Sequence, residues 1–269
     1  MPLTGPIQGA VAVLQAVLDR RIAFRLAIVV AGMFLAGDRR TASAWFVAGG
    51  VGDDWDRFYD CLISVGRTSG KLATAVLGLV VQKFAPGFGD RILLAMDDSP
   101  TARYGRHVED AGVHHNLAWF MQSLVGLGVK AKVWLAADGA YATRPFLLPV
   151  LKMGIVVVSR LRKDACLFDL PGPDAHGNRI YGKNKLSLAK RARHQEGWQS
   201  ITYPCRGVEV THEVRDILES YGARWAIEEH FHDIKEVWGA GQQQVRNVWS
   251  NIGCWHLNQW VFTLVELCC

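Results

Sequence analysis

The chain has 269 residues, half of them hydrophobic and one fifth charged, with a mean hydropathy of +0.09. That is the composition of a folded globular protein, which excludes collagen-like, coiled-coil and wholly disordered architectures. Lys plus Arg number 30 against 25 Asp plus Glu, a net charge of +5, which permits a polyanionic partner without demanding one.

The first 88 residues read as a helical N-terminal region. Apolar residues recur at helical spacing in VAVLQAVL, FRLAIVVAGMFL and LATAVLGLVVQKF, with glycines between the runs. MPLTGPIQGA at the start has no basic stretch leading into an apolar core, so no signal peptide is expected. The apolar run at 26–36 is well short of the roughly 20 residues a membrane span needs and reads as a buried helix. DRRTASAW at 38–45 is a basic turn entering a helix. Thr41 or Ser43 would cap it, and its arginines are within reach of a phosphate backbone.

RILLAM at 91–96 is a short apolar run that stops at Asp97-Asp98-Ser99-Pro100, as a buried strand delivering carboxylates would. KVWLAA at 132–137 repeats the plan and stops at Asp138-Gly139. A helix opened by Pro145 follows, then a β-branched strand at 155–158. Strand, helix, strand implies an α/β sheet with parallel members, in which chemistry gathers at the carboxyl ends of the strands.

The next segment is basic. Arg160, Arg162, Lys163, Arg179, Lys183, Lys185, Lys190, Arg191 and Arg193 face only three acidic residues, Asp164, Asp169 and Asp174, between 160 and 193. A local basic face on a nearly neutral body is a better nucleic-acid signal than the global charge. The six cysteines, Cys61, Cys166, Cys205, Cys254, Cys268 and Cys269, form no CxxC pair. They read as free thiols of a reducing cytosol.

A helix is expected over 214–238, and another from 248 to the end. At about 100° per residue, Tyr221, Arg224, Glu228, His232 and Lys235 share one narrow face, while Ile227, Phe231, Ile234 and Trp238 share another that suits a core. Zinc is disfavoured, since no HExxH spacing exists around His230 and His232. Two strand-end aspartates followed by a helix-borne glutamate point elsewhere. Three carboxylates at one site repel unless cations neutralise them, and hard oxygen ligands suit Mg²⁺ or Mn²⁺. Two such ions about 4 Å apart can activate a nucleophilic oxygen and stabilise a leaving one.

Tyr221-x2-Arg224-x3-Glu228-x6-Lys235 matches, at every spacing, the YREK motif of insertion-sequence DDE transposases. The stretches DDSPTARYG, ADGAYATRPFL and EVWGAGQQQVRNVW also resemble members of that family, and the likeness runs from about residue 39 to the C-terminus, with gaps. The resemblance implies an α/β fold: an RNase H-like mixed sheet with flanking helices, preceded by the all-helical region at 1–88. The catalytic domain would span 89–269, interrupted by a basic insertion at about 160–210. It implies a DNA transposase that hydrolyses a phosphodiester and transfers the strand at insertion-sequence ends. Asp98, Asp138 and Glu228 would be catalytic and hold two Mg²⁺ or Mn²⁺ ions, with Asp97 the alternate first aspartate. Tyr221, Arg224 and Lys235 would bind DNA, together with Arg160, Arg162, Lys163, Lys183, Lys185, Lys190, Arg191 and Arg193 of the basic segment. The partners would be double-stranded DNA, at element ends and target, and a second copy of the chain on DNA. No membrane and no nucleotide cofactor are implied, and the location would be a bacterial-type cytosol, at the nucleoid.

Two intervals are short for such a fold. An RNase H-like core has two more strands and usually a helix between its first two aspartates. Here only residues 117–129 are available after a polar loop, enough for one helix or two short strands. The interval before Glu228 offers one or two strands, in WQSITYPCRGVEV at 198–210. An incomplete sheet is therefore expected. Two alternatives stay open: a catalytically inactive, truncated transposase that only binds DNA, and a related RNase H-like nuclease without strand transfer.

Overall fold

The structure is a computed structural model and describes residues 5–37, 39–84, 87, 89–96, 112–160, 167–168, 184–186, 202–205, 208–211 and 214–268. The chain divides into two compact units. One comprises residues 1–89, 120–130 and 228–269, the other 90–119 and 131–227.

The first unit is helical. It contains α1 (Gly5–Gln15), α2 (Arg20–Leu35), α3 (Ala42–Ala48), α4 (Trp55–Arg67) and α5 (Ser69–Phe84). The C-terminal helix, α10 (Val248–Cys268), joins them. Local chemistry sets the starts. Asp19 accepts from Arg21 N at 2.8 Å to open α2, and Thr41 accepts from Ala44 N at 3.2 Å to open α3, each satisfying a backbone donor that the helix itself cannot. Thr41, one of the two caps expected from sequence, takes that place.

The core of this unit is built where α4 meets α10. Phe58, Cys61, Leu62 and Val65 form the buried stripe of α4, and Cys254, Leu257, Val261 and Leu264 that of α10. Their three- and four-residue spacings keep each stripe on one side of its helix. Gly66 and Gly253 sit at the crossing. A Cβ on Gly66 would overlap the carbonyl oxygen of Trp249, and one on Gly253 that of Leu62, so the backbones touch there. Gly32 of α2 meets the carbonyl of Trp45 in the same way. Phe46 fills the space beside α4, its ring 5.0 Å from that of Tyr59 and 5.5 Å from that of Phe58.

Burial pushes the thiols of Cys61 and Cys254 up from an ordinary 9.0 to about 12, the Arg25 guanidinium pulling Cys61 only partly back. Neutral thiols are what this core tolerates. Their contribution is complete below pH 9 and is lost as pH rises through about 12, where the unfolded chain releases protons that the folded chain keeps. Iodoacetamide at pH 8 is accordingly expected to leave both cysteines unlabelled in the folded chain and to label both in urea, as read by peptide mass spectrometry. Rapid labelling of either before unfolding would contradict this packing.

The second unit holds a parallel sheet, β1 (Arg91–Met96), β2 (Lys132–Ala137) and β3 (Val156–Ser159), in that order. β2 is central, and Val133, Trp134, Leu135, Ala136 and Ala137 are all buried, which is why its sequence is a continuous apolar run. The connections are α6 (Gly112–Gly126) and α7 (Arg144–Lys152). Two small antiparallel pairs follow, β4 (Leu167–Phe168) with β5 (Lys185–Leu186) and β6 (Thr202–Cys205) with β7 (Val208–Thr211). Next comes α8 (Val214–Ala223), which lies against β2 and β3. Arg91 at the start of β1 ties to it, its Nη1 2.9 Å from Asp216 Oδ1, and stacks over Trp134 at 5.0 Å.

One expectation and one difference concern the site. Among the described residues, the β1–β2 connection carries one helix and no extra strands, in line with the short interval, so β1 pairs with β2 alone and Leu93 is 37% exposed. The expected continuous helix over 214–238 is two helices, α8 and α9 (Trp225–Glu236), with a turn at Arg224. There the hydrogen bonds run over three residues, Arg224 N to Tyr221 O and Ile227 N to Arg224 O. A tightened turn advances the chain differently from an α-helix, so an angular reading at 100° per residue does not carry from Tyr221 to Glu228.

Candidate active site

Parallel pairing in register brings the strand ends together. Met96 is the register partner of Ala137, and Ala137 of Ser159. The residue preceding Asp97 therefore lies beside the residue preceding Asp138. Asp97 and Asp98 themselves lie outside the described residues.

Asp138 is half-buried at the carboxyl end of β2. Its Oδ1 accepts from Gly139 N at 2.6 Å, capping a short 3₁₀ turn at Gly139–Tyr141. Its backbone carbonyl accepts from Ser159 Oγ at 3.0 Å, which locks the ends of β2 and β3 together. Arg160, the residue just after β3, brings Nη2 to 3.9 Å from Asp138 Oδ1, with its side chain 72% exposed. The pair is loose and solvated, worth little as a stabilising contact. It leaves the guanidinium exposed at the carboxyl end of β3.

Tyr221 and Arg224 come together on the other side of the helix break, the Arg224 guanidinium 5.7 Å from the Tyr221 ring. Arg224 is buried at 8% exposure. This corrects the reading of the YREK positions as one uniform polar face, because the turn at Arg224 draws that side chain inward. Glu228 is half-buried in the first turn of α9, and Lys235 is exposed in its last, 6.0 Å from the Phe231 ring. Ile234 of the same helix is fully buried, as its position on the apolar side required. Glu228 and Lys235 belong to the first unit, whereas Asp138, Arg160, Tyr221 and Arg224 belong to the second.

Of the basic segment, Arg160 and Lys185 fall within the described residues, and both are exposed. Arg162, Lys163, Lys183, Lys190, Arg191 and Arg193 lie outside them. At the N-terminal basic turn, Arg39 is exposed, but Arg40 is committed internally, its Nη1 donating to Met33 O at 2.7 Å. His230 is likewise engaged, 2.9 Å from Gln259 Oε1 and edge-on to Phe262 at 4.6 Å.

Sequence reasoning missed Ser159 as the clamp on the strand end. Its signal was its place, one residue before Arg160 and just after a β-branched run. Among the described residues, no group of three or more His, Cys, Asp or Glu forms a metal site. Asp138 itself fits a divalent cation: it supplies hard oxygen, and with Oδ1 held by Gly139 N its orientation is set while Oδ2 remains to coordinate.

The model of the transposase DDE domain family matches residues 120–264, more than half of the chain, and this protein belongs to that family. No curated protein and no solved structure matches it. The matched span contains Asp138, Tyr221, Arg224, Glu228 and Lys235. The helical N-terminal region and the parallel α/β sheet are consistent with an RNase H-like fold whose sheet, among the described residues, is incomplete. No helix among them is long and apolar enough to cross a membrane.

Proposed function

We propose that this protein is a metal-dependent DNA transposase in which Asp98 (or Asp97), Asp138 and Glu228 form the carboxylate set. The observation that carries the reading is the β1–β2 register, which aligns the strands leading into the first two aspartates, inside a chain of the transposase family. Two Mg²⁺ or Mn²⁺ ions, when bound, would activate the attacking oxygen and stabilise the leaving one. The protein's own residues would do the rest. Asp138, held by Gly139 N and the Ser159 clamp, would present a fixed carboxylate oxygen. Arg160, Tyr221, Arg224 and Lys235 would hold the DNA backbone, with the basic segment through Arg193 extending that grip. Two copies would act on paired ends in the cytosol.

The test is cleavage of linear DNA carrying this gene and its native flanks, with Mn²⁺ and with excess EDTA. Discrete cuts at the element borders are expected with Mn²⁺. None is expected after chelation, while DNA binding persists. Affinity should fall by about 0.9 in log K per log salt for each phosphate engaged, and Arg160→Ala should reduce that slope by about 1. An unchanged slope would remove Arg160 from the contact set.

A second reading has its own observation. With α6 the one element described in the interval where an RNase H-like core carries further strands, the chain would bind DNA without cutting it. Retained, salt-sensitive binding without cuts in Mn²⁺ would select that reading.

A further inference from the structure

The loop between α9 and α10 is firmly built. Gln243 is buried, and its Nε2 donates to Gly239 O at 2.7 Å and to Arg40 O at 3.2 Å, while its Oε1 accepts from Gly241 N at 2.9 Å. Its backbone carbonyl accepts from Ala42 N at 3.2 Å. Asn251 Nδ2 donates to Val245 O at 3.0 Å, and Trp238 meets Phe34 edge-on at 5.3 Å. These bonds all lie within the helical unit, and they fix the loop against the turn that carries Arg39 and Arg40.

Inside this frame Gln244 has φ of 53°, the one positive value among the described non-glycine residues. A side chain disfavours that conformation, and glycine would adopt it freely. No internal contact compensates. The Gln244 side chain is exposed and makes no hydrogen bond or ion pair among the described residues. Gln242 and Arg246 flank it, both exposed, as is Arg39 on the adjoining turn. Trp249, at the start of α10, is 42% exposed. Amides that both donate and accept, guanidinium groups and an open indole make up the chemistry that contacts base edges and phosphates.

We infer that residues 242–246 form a second DNA-contact site, made of none of the carboxylates and none of the basic segment. Gln244 meets a base edge of duplex DNA, and Arg39 and Arg246 hold the adjacent phosphates. The backbone strain at Gln244 is retained because it aims the amide outward. This rests on the transposase reading and adds a recognition element to it.

The test uses the full chain with two linear duplexes of equal length, one carrying the gene's native flanks and one unrelated. Gln244→Gly keeps the backbone and removes the amide. It is expected to raise Tm by a few degrees, since the strain is relieved, and to weaken binding to the flank duplex about tenfold, leaving the unrelated duplex unaffected. Arg246→Ala should weaken binding to both equally and reduce the salt slope by about 1. Undiminished binding of the flank duplex by Gln244→Gly would overturn the inference, as would an equal loss on both duplexes or a lowered Tm. If the unaltered protein binds neither duplex, the transposase reading itself falls, a result distinguishable from failure at this loop alone.

Discussion

Glu228→Gln is expected to abolish cleavage of the flank-bearing DNA while leaving DNA affinity nearly unchanged. The substitution preserves volume and removes the charge that a divalent cation requires. Loss of residues that merely orient metal ligands typically costs 10–100-fold, so loss of a ligand should cost at least about 100-fold. The fold should survive. Glu228 is half-buried in the first turn of α9, where the helix dipole favours its charge by only about 0.3–1 kcal/mol. Asp138→Asn should behave alike, because the asparagine Oδ1 can still accept from Gly139 N and preserve the turn. Groups that act as one unit are not additive, so the double variant should be no worse than either single one. The measurement is a single-turnover cleavage assay in Mn²⁺, paired with binding of the same DNA. Cleavage that persists in both single variants would remove these carboxylates from the reaction.

Gly66→Ala is expected to cost about 3 kcal/mol of stability, near the upper end for overpacking, because the added methyl meets backbone rather than a side chain that could turn away. The obstacle is the carbonyl of Trp249, and relief would require α4 and α10 to separate along their buried stripes. Gly78→Ala is the matched control. It lies mid-helix in α5 with open space where its Cβ would go, so it should stabilise by about 0.5–1 kcal/mol. Urea midpoints of the two variants should therefore move in opposite directions. Equal midpoints would contradict the close crossing of the two helices.

Much of the sheet was legible in the sequence because it follows from one-dimensional patterns. β1 and β2 occupy the apolar runs at 91–96 and 132–137, β3 is displaced by one residue from the run at 155–158, and Pro145 stands at the start of α7. The antiparallel pair of β6 and β7, at 202–205 and 208–211, falls within or beside the strand-bearing stretch at 198–210. What was hidden depends on contacts distant in sequence. Around Arg224 the apolar spacing runs through the turn and only Gly222, two residues before it, weakens the helix pattern, while the burial of Arg224 follows only from packing. Arg40 looks like a free phosphate ligand until α2 offers it the Met33 carbonyl. Gln243 and Gln244 are indistinguishable as letters, yet one is buried with three hydrogen bonds and the other is exposed and strained. The first aspartate is named by its strand and its neighbours in sequence alone.

The crossing at Gly66 and Gly253 also sets an order of events during synthesis. The stripe of α4 emerges from the ribosome about 200 residues before the stripe it packs against. At roughly 5–20 residues per second, that is a wait of about 10–40 s with Phe58, Leu62 and Val65 lacking the surface that covers them. A nascent chain released before α10 would carry an unsealed helical body, prone to associate with others. The helical body that includes Glu228 closes only once α10 has been made.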